Sequence, residues 1–200
     1  MKIAIIGATG RAGREIAAEL ARRGHSVTAI SRHPGEAAAN ITPVAGDAGD
    51  PAALAPLLAG HDAVVSAVMF HASDPEKLIG AVRASGVPRY LVVGGAGSLE
   101  VAPGVKLIDT PEFPEAYKLE AGKGSEFLQL LKGITDLDWV FLSPSALFFE
   151  GPRTGTFRLG KDQLLTNAEG SSISFADYAI AMADEIETPR HHRERFTVGY

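Results

Sequence analysis

Short aliphatic runs alternate with amphipathic segments along most of the chain. The first run, residues 2–6, is rich in isoleucine and ends at a glycine, which predicts a buried strand. The next segment, residues 11–23, carries Ile16, Leu20 and several alanines on one stripe before Gly24, which predicts a helix. By the same criteria we predict strands at 26–30, 41–45, 62–68, 89–93, 137–142 and 195–198, and helices at 51–58, 75–85, 115–131 and 174–186.

Strands and helices follow one another through at least six units. The nearly continuous aliphatic strands indicate a sheet covered on both faces. We therefore predict an α/β fold with a doubly wound, mainly parallel sheet, in one domain over residues 1–200 with small C-terminal elements on the substrate side. Two stretches without clear pattern, 94–114 and 144–160, follow strands. They are either surface insertions or functional loops at the carboxyl edge, where such sheets bind ligands.

The first turn has the sequence GATGRAG and lies between a predicted strand and a predicted helix. Gly7 permits a tight turn, Gly10 lets backbone approach a pyrophosphate, and Gly13 lets the helix pack closely on the strand. The helix N-terminus then offers amide groups and a positive dipole end to phosphate. The alternative, glycines used only for packing, fits this strand–turn–helix context less well, so we predict a dinucleotide site of the Rossmann type.

The end of the second predicted strand selects between the two nicotinamide dinucleotides. A site for NAD usually has Asp or Glu there, to bind the ribose 2′-hydroxyl. This chain has Ser31 and Arg32, which can bind a 2′-phosphate, and Arg11 adds a second possible phosphate contact. We expect NADP(H) to be preferred over NAD(H). The alternative is that Arg32 is a solvated surface charge.

Two further positions fit a bound dinucleotide. Asp47 follows the third predicted strand and either accepts a hydrogen bond from adenine or belongs to a polar turn before the helix cap at Asp50. Ala67 and Val68 end the fourth predicted strand, and their small size would let a cofactor lie against the sheet edge.

Composition narrows the partners. A formal net charge of -5 argues against nucleic acid or an anionic membrane as a partner, and we expect a small-molecule substrate. The absence of cysteine excludes disulfides, thiolate catalysis and cysteine metal sites, and fits a reducing cytoplasm. The first apolar run is too short for a signal segment or membrane span, so we expect a cytoplasmic protein. The oligomeric state stays open.

Several motifs resemble one protein family. GATGRAG, SRHP, GDAGD and VVGGAGSL resemble the atypical short-chain dehydrogenases of the NAD(P)-binding, NmrA-like group, over essentially the whole chain. Within that group, the segments DLDWVFLSPSALFFEGPRTGTFRLG and SSISFADYAIAMADEI look closest to the NADH–flavin reductases, which are similar to biliverdin reductase B.

The resemblance implies a position for each cofactor contact. It places one group of residues at the pyrophosphate, a second at the adenosine and a third at the nicotinamide. The pyrophosphate group is Gly7, Thr9, Gly10, Arg11, Ala12 and Gly13. The adenosine group is Ser31 and Arg32 at the ribose and Asp47 at adenine. The nicotinamide group is Gly95, Ser98, Pro144 and Ser145, and Ala67 and Val68 lie beside the middle of the cofactor.

The catalytic pair of typical short-chain dehydrogenases is missing. Those enzymes use Tyr-x-x-x-Lys on one helical face, where the lysine lowers the tyrosine pKa. Tyr117 is followed at that spacing by Ala121, and Tyr90 by Gly94. Reducing a ketone benefits from such an acid, whereas a flavin disperses the arriving charge over its ring, so orientation can supply much of the catalysis. The pattern favours reduction of a free flavin or a similar planar acceptor.

The remaining catalytic candidates are single residues. Ser98 and Tyr117 could contact substrate, although Ser98 fits a turn and Tyr117 a helix surface equally well. His71 is a candidate for substrate contact, although a solitary histidine is more often structural. Phenylalanines 113, 148 and 149 are core or substrate-wall candidates.

The charged stretch near the C-terminus has a simpler interpretation. His191 and His192 lack a third ligand at metal spacing, so no metal site is expected. The basic cluster of Arg190, Arg193 and Arg195 beside them is expected to be a solvated face.

Two other functions stay open. One is an NmrA-like redox sensor that binds NADP(H) without turnover, although the chain offers no DNA-binding helix pair or basic stripe. The other is an epimerase- or dehydratase-like enzyme on sugar nucleotides, for which the missing pair and the short C-terminal part leave little room.

Overall fold

A computed structural model describes all 200 residues, Met1–Tyr200, and contains twelve strands. Eight of them form one sheet in the order β10-β12-β8-β5-β4-β1-β2-β3, and two pairs, β9 with β11 and β6 with β7, stand apart. The strands are β1 (Lys2–Ile6), β2 (Ser26–Ser31), β3 (Ile41–Ala45), β4 (Ala63–Ser66), β5 (Arg89–Val93), β6 (Glu100–Ala102), β7 (Val105–Lys106), β8 (Asp138–Pro144), β9 (Leu147–Phe149), β10 (Arg158–Gly160), β11 (Ser172–Ser174) and β12 (Glu194–Gly199).

Five α-helices cover the sheet: α1 (Arg11–Arg22), α2 (Pro51–Leu58), α3 (Pro75–Ser85), α4 (Glu115–Lys132) and α5 (Phe175–Glu187). Two 3₁₀ turns, Phe70–Ala72 and Leu107–Asp109, lie in the connections. Three of the helices start at side-chain caps, because Asp50, Asp74 and Ser174 accept hydrogen bonds from amides of the first turns of α2, α3 and α5. No helix is long and apolar enough to cross a membrane.

The alternation of side chains along β1 explains the layered packing. Ile3 and Ile5 join a core cluster with residues of α1 and α5, whereas Ala4 and Ile6 join a second cluster with residues of α2, α3 and α4. Successive side chains of a strand point to opposite faces, so one strand contributes to both layers. The predicted doubly wound, mainly parallel sheet is confirmed, and only β10 pairs antiparallel within it.

The strand order reverses at β1. This strand pairs in parallel with β2 on one side and β4 on the other, although the chain visits them in the order β1, β2, β3, β4. The crevice beyond the carboxyl ends of β1 and β4 is therefore the switch point where open α/β sheets bind ligands.

The structure differs from the predicted elements mainly in short segments. The strand predicted at 62–68 ends at Ser66, because the chain turns away after the Ala67 amide donates to the Ile6 carbonyl at 2.8 Å. The stretch 94–114 contains the β6–β7 hairpin, and 144–160 contains β9 and β10. In addition, β11 pairs in parallel with β9 to form a small sheet beside the main one.

The expected solvated basic cluster near the C-terminus is wrong for Arg195. This residue is buried, and its guanidinium donates to Asp162 and, at 3.2 Å, to the Ser98 hydroxyl. Arg195 lies on β12, which pairs with the interior strand β8, and this position explains its burial. A buried arginine needs hydrogen-bond acceptors, which neighbouring segments supply here. The two histidines pair with carboxylates: His191 with Glu185 at 2.7 Å and His192 with Asp138 at 3.0 Å.

Candidate nucleotide-binding and active site

The glycine turn after β1 is built from close backbone contacts. Gly7 has a φ of +84°, and a Cβ on it would lie 2.5 Å from the Ala67 carbonyl oxygen and 3.0 Å from Val68 Cγ1. A Cβ on Gly13 would lie 2.3 Å from the Gly7 carbonyl oxygen. The turn, the start of α1 and the segment after β4 therefore meet at the switch point, as the predicted cofactor contacts at Ala67 and Val68 require. Only glycine fits at positions 7 and 13 of the turn.

The N-terminus of α1 is open to a ligand. Its N-cap is Gly10, with extended backbone and no side-chain cap, and its first turn contains no acidic residue. The first amides of a helix have no partner inside the helix, so those around Arg11, Ala12 and Gly13 remain available beside a positive dipole end. Thr9 and Gly10 are exposed above them. This is the chemistry that a pyrophosphate requires.

The end of β2 contains an unsatisfied buried group. The Ser31 hydroxyl is buried and has no hydrogen-bond partner in the protein. Buried hydroxyls are nearly always paired, so a missing partner marks a place for a ligand or water. The neighbouring Arg32 is exposed. A ribose or its 2′-phosphate beside Ser31 would give the hydroxyl a partner and bring an anion to the guanidinium, so the residues present fit a bound dinucleotide.

Three predicted contacts have partners within the protein. Asp47 accepts a hydrogen bond from the Gly49 amide at 2.8 Å, the turn role that was its alternative. The Arg11 guanidinium lies 5.4 Å from the centre of the Phe175 ring. The Ser145 hydroxyl donates to the Val198 carbonyl at 3.1 Å, and Ser145 and Pro144 are both buried. Their contacts with a cofactor stay predictions.

Two glycines of the loop after β5 lie close to other segments, Gly97 to α4 and Gly95 to the 3₁₀ turn Phe70–Ala72. A Cβ on Gly97 would lie 2.7 Å from Ala121 Cβ, and a Cβ on Gly95 would lie 3.8 Å from the Phe70 ring. The position that a catalytic lysine would occupy is therefore held by a small residue in tight contact with the loop. At the N-terminal end of α4, the Tyr117 side chain is 65% exposed and offers no enclosed proton donor.

Neither predicted catalytic residue is held in a defined pose toward the crevice. The buried Ser98 hydroxyl accepts a hydrogen bond from Arg195, which ties the loop after β5 to β12. A buried tyrosine also lies nearby: the Tyr178 hydroxyl donates to the Leu142 carbonyl at 2.7 Å. Burial raises the pKa of Tyr178 well above its ordinary value, so this phenol stays protonated and serves packing. Tyr178 is therefore not a substitute for the missing tyrosine acid.

An aromatic group borders the start of α1. The Phe148 ring centre lies 4.3 Å from that of Phe175 and 4.7 Å from that of Tyr178. Phe148 is half-buried, whereas the Phe149 ring fills the space beside Gly151. Phe148 therefore belongs mainly to the packing of β9 on α5, with part of its surface open.

Sequence reasoning missed two polar contacts between segments distant in the chain. Glu120 of α4 accepts hydrogen bonds from the backbone amides of Phe70 and His71 and contacts the His71 ring. Arg153, in the segment after β9, forms an ion pair with the buried Glu19 of α1. The contacting residues are 49 and 134 positions apart in the chain, so no local sequence pattern predicts either contact.

The glycine turn at a topological switch point, the uncapped helix and the unpaired Ser31 hydroxyl together define a Rossmann-type dinucleotide-binding protein. A family model described as NAD(P)H-binding matches residues 7–189. The chain belongs to this NAD(P)H-binding family. It is similar to YwnB of Bacillus subtilis (strain 168), with 43% identity over 99% of this chain and 98% of that protein.

Solved structures similar to the chain carry different names. A "putative exported protein" from Burkholderia pseudomallei is 48% identical, with a TM-score of 0.91 over 100% of both chains. A "putative epimerase" from Bacteroides thetaiotaomicron is 41% identical, with a TM-score of 0.94 over 100% of this chain and 96% of that one. A "putative NADH-flavin reductase" from Streptococcus pneumoniae TIGR4 is 38% identical, with a TM-score of 0.86 over 100% and 99%. The fold is that of NAD(P)H-binding oxidoreductases.

Proposed function

We propose that the protein is an NADPH-dependent reductase of a free flavin or another planar conjugated acceptor. The observation that supports the proposal is a cradle of residues that fits a dinucleotide, combined with a lysine position that is closed by a small residue. The cradle is the set of Gly7, Gly10, Gly13 and Ser31, and the closed position is Ala121 against Gly97. A bound NADPH would supply hydride equivalents there.

The residues of the chain bind and orient. The helix N-terminus and the glycine turn would hold the pyrophosphate by backbone amides. The loop after β5 begins with Gly-Gly-Ala-Gly at residues 94–97, small residues that would leave room for stacked rings. A planar acceptor gains most from orientation and least from a strong acid, which suits this site.

The preference for NADPH rests on the end of β2. Ser31 has an unpaired hydroxyl and Arg32 is exposed. The end of β2 has no Asp or Glu, whose carboxylate would repel a 2′-phosphate. The name of the similar protein from Streptococcus pneumoniae agrees with a flavin acceptor, whereas that of the Bacteroides protein favours an epimerase. The missing tyrosine–lysine pair weighs against the second reaction here.

The test is a turnover screen at saturating NADPH with FMN, FAD, quinones and aldehydes. We expect NADPH oxidation with flavins or quinones and little with simple aldehydes. Tight NADPH binding without oxidation by any acceptor would refute the proposal and favour an NADP(H)-binding sensor. Isomerisation of a sugar nucleotide with a retained cofactor would instead favour the epimerase.

A further inference from the structure

A carboxylate on α4 organises the segment that follows β4. Glu120 Oε1 accepts a hydrogen bond from the Phe70 amide at 2.8 Å, and its Oε2 accepts one from the His71 amide at 2.8 Å. The same Oε2 lies 2.6 Å from His71 Nδ1. One carboxylate therefore fixes both the backbone turn and the imidazole that it carries.

This contact determines which ring nitrogen is free. An ionised carboxylate can only accept, so Nδ1 of His71 carries the hydrogen that it donates to Glu120. Nε2 has no partner within the protein, and the side chain is 41% exposed, so water can reach it. An imidazole oriented at one nitrogen by a carboxylate and free at the other is an arrangement suited to proton transfer.

The residues next to the pair contact the loop after β5, which is predicted to border the nicotinamide. Gly95 faces the ring of Phe70, the residue before His71, and Gly97 touches Ala121, the residue after Glu120. Each member of the pair is thus one residue away from a contact with that loop. The pair also lies at the carboxyl edge of the sheet, where β4 ends.

The charged groups around His71 are already paired. The imidazole borders a hollow of about 240 Å³ that is also lined by Asp74, Lys123 and Glu126. Lys123 contacts Glu126 at 2.7 Å, and Asp74 accepts the Glu76 amide at 2.9 Å as the cap of α3. Glu120 is therefore the carboxylate that acts on the imidazole.

We infer that His71 donates the proton that completes reduction of the acceptor, with Glu120 as its positioning residue. This role rests on the proposed function. NADPH is oxidised and gives two electrons and a hydrogen to the acceptor, which leaves a negative charge on an acceptor nitrogen or oxygen. The Nε2–H bond of the imidazolium breaks, the proton goes to that atom, and water reloads the imidazole. The pair thereby supplies the acid that the missing tyrosine and lysine do not.

The first test compares the kinetics of His71→Asn with those of the wild type. Asparagine keeps the backbone amide that Glu120 accepts, so the turn is retained while the imidazole is lost. We expect kcat to fall by about 10²-fold, the usual contribution of a general acid, with unchanged NADPH affinity and unchanged KM for NADPH. The pH dependence of kcat should differ between the wild type and His71→Asn, and added imidazole should restore part of the rate.

A matched control uses the same substitution at the other edge of the sheet. His192 also places Nδ1 3.0 Å from a carboxylate, that of Asp138, and its side chain is 54% exposed. It precedes β12 at the amino edge, far from the crevice, so His192→Asn should leave kcat and its pH profile unchanged.

A second readout is independent of turnover. Nitrogen-15 NMR should find neutral His71 with its hydrogen on Nδ1 in the wild type, and a substantial population with the hydrogen on Nε2 in Glu120→Gln. An Nε2–H form in the wild type, or a His71→Asn variant with wild-type kcat and pH profile, would overturn the proton role alone. A wild-type protein that reduces no acceptor would refute the proposed function, and the proton role with it.

Discussion

Replacing Gly13 by alanine adds a methyl group where the backbone leaves no room. The new Cβ would lie 2.3 Å from the Gly7 carbonyl oxygen and 3.0 Å from Ala8 Cα. Both are backbone atoms of the turn, so relief requires α1 to move away from β1 by a large part of an ångström. Overpacking of this kind costs about 1–3 kcal/mol, and the better helix propensity of alanine returns at most about 1 kcal/mol.

Gly80 of α3 provides the matched control, because a Cβ there meets nothing within 4 Å. We expect Gly80→Ala to raise the free energy of unfolding by about 0.5–1 kcal/mol and Gly13→Ala to lower it by about 1–2 kcal/mol. Denaturant unfolding measures both values, and NADPH fluorescence titration measures binding, which only Gly13→Ala should weaken. A Gly13→Ala protein as stable as Gly80→Ala, with wild-type NADPH affinity, would refute the close-packing argument.

Three further changes test separate parts of the site. Arg32→Ala should raise the Kd for NADPH by about 10–100-fold, the loss of one or two charge-assisted hydrogen bonds, and leave that for NADH nearly unchanged; equal losses in calorimetric titrations would exclude a role in reading the 2′-phosphate. Although burial opposes it, hydrogen bonds from Arg153, Arg22 and Arg23 lower the pKa of Glu19 from 4.5 to about 2. Because the folded-state value is the lower one, the stabilisation is present above about pH 4.5 and is lost as the pH falls toward about 2. Glu19→Gln should therefore lower the free energy of unfolding near neutral pH by on the order of 2 kcal/mol and flatten its decline in acid, and parallel curves for the two proteins in pH-dependent denaturation would contradict this. Tyr178→Phe should cost about 1 kcal/mol of stability and leave kcat unchanged, since the Leu142 carbonyl keeps its bond from the Gly94 amide at 2.8 Å; a collapse of kcat would identify Tyr178 as an acid.

The main sheet and the dinucleotide cradle are readable from sequence because their signals are local. Most long strands contain an aliphatic run, and four of the five helices begin at a side-chain cap or a proline. The glycine turn combines three residues within seven positions, so its geometry follows from spacing alone. The predicted bounds of β1, β3, α2, α3 and β5 agree with the structure to the residue.

The missed features depend on partners distant in the chain. Strands of two or three residues, such as β7 and β9, have no detectable period and form only because a second segment lies beside them. Arg195 is one basic residue among several in the sequence, and its burial follows from Asp162 and Ser98 in other segments. The Glu120–His71 contact likewise joins the start of α4 to the end of β4, which only the folded topology brings together.

The most direct test of the proposed reductase activity is a single turnover in the absence of oxygen, with protein, NADPH and FMN mixed in a stopped-flow instrument. We predict that the absorbance bands of NADPH and oxidised FMN decay together in equal amounts, and that deuterium at the transferred position of the nicotinamide slows both. Bound NADPH that leaves the FMN band unchanged would contradict the account and make the protein a binder of the dinucleotide.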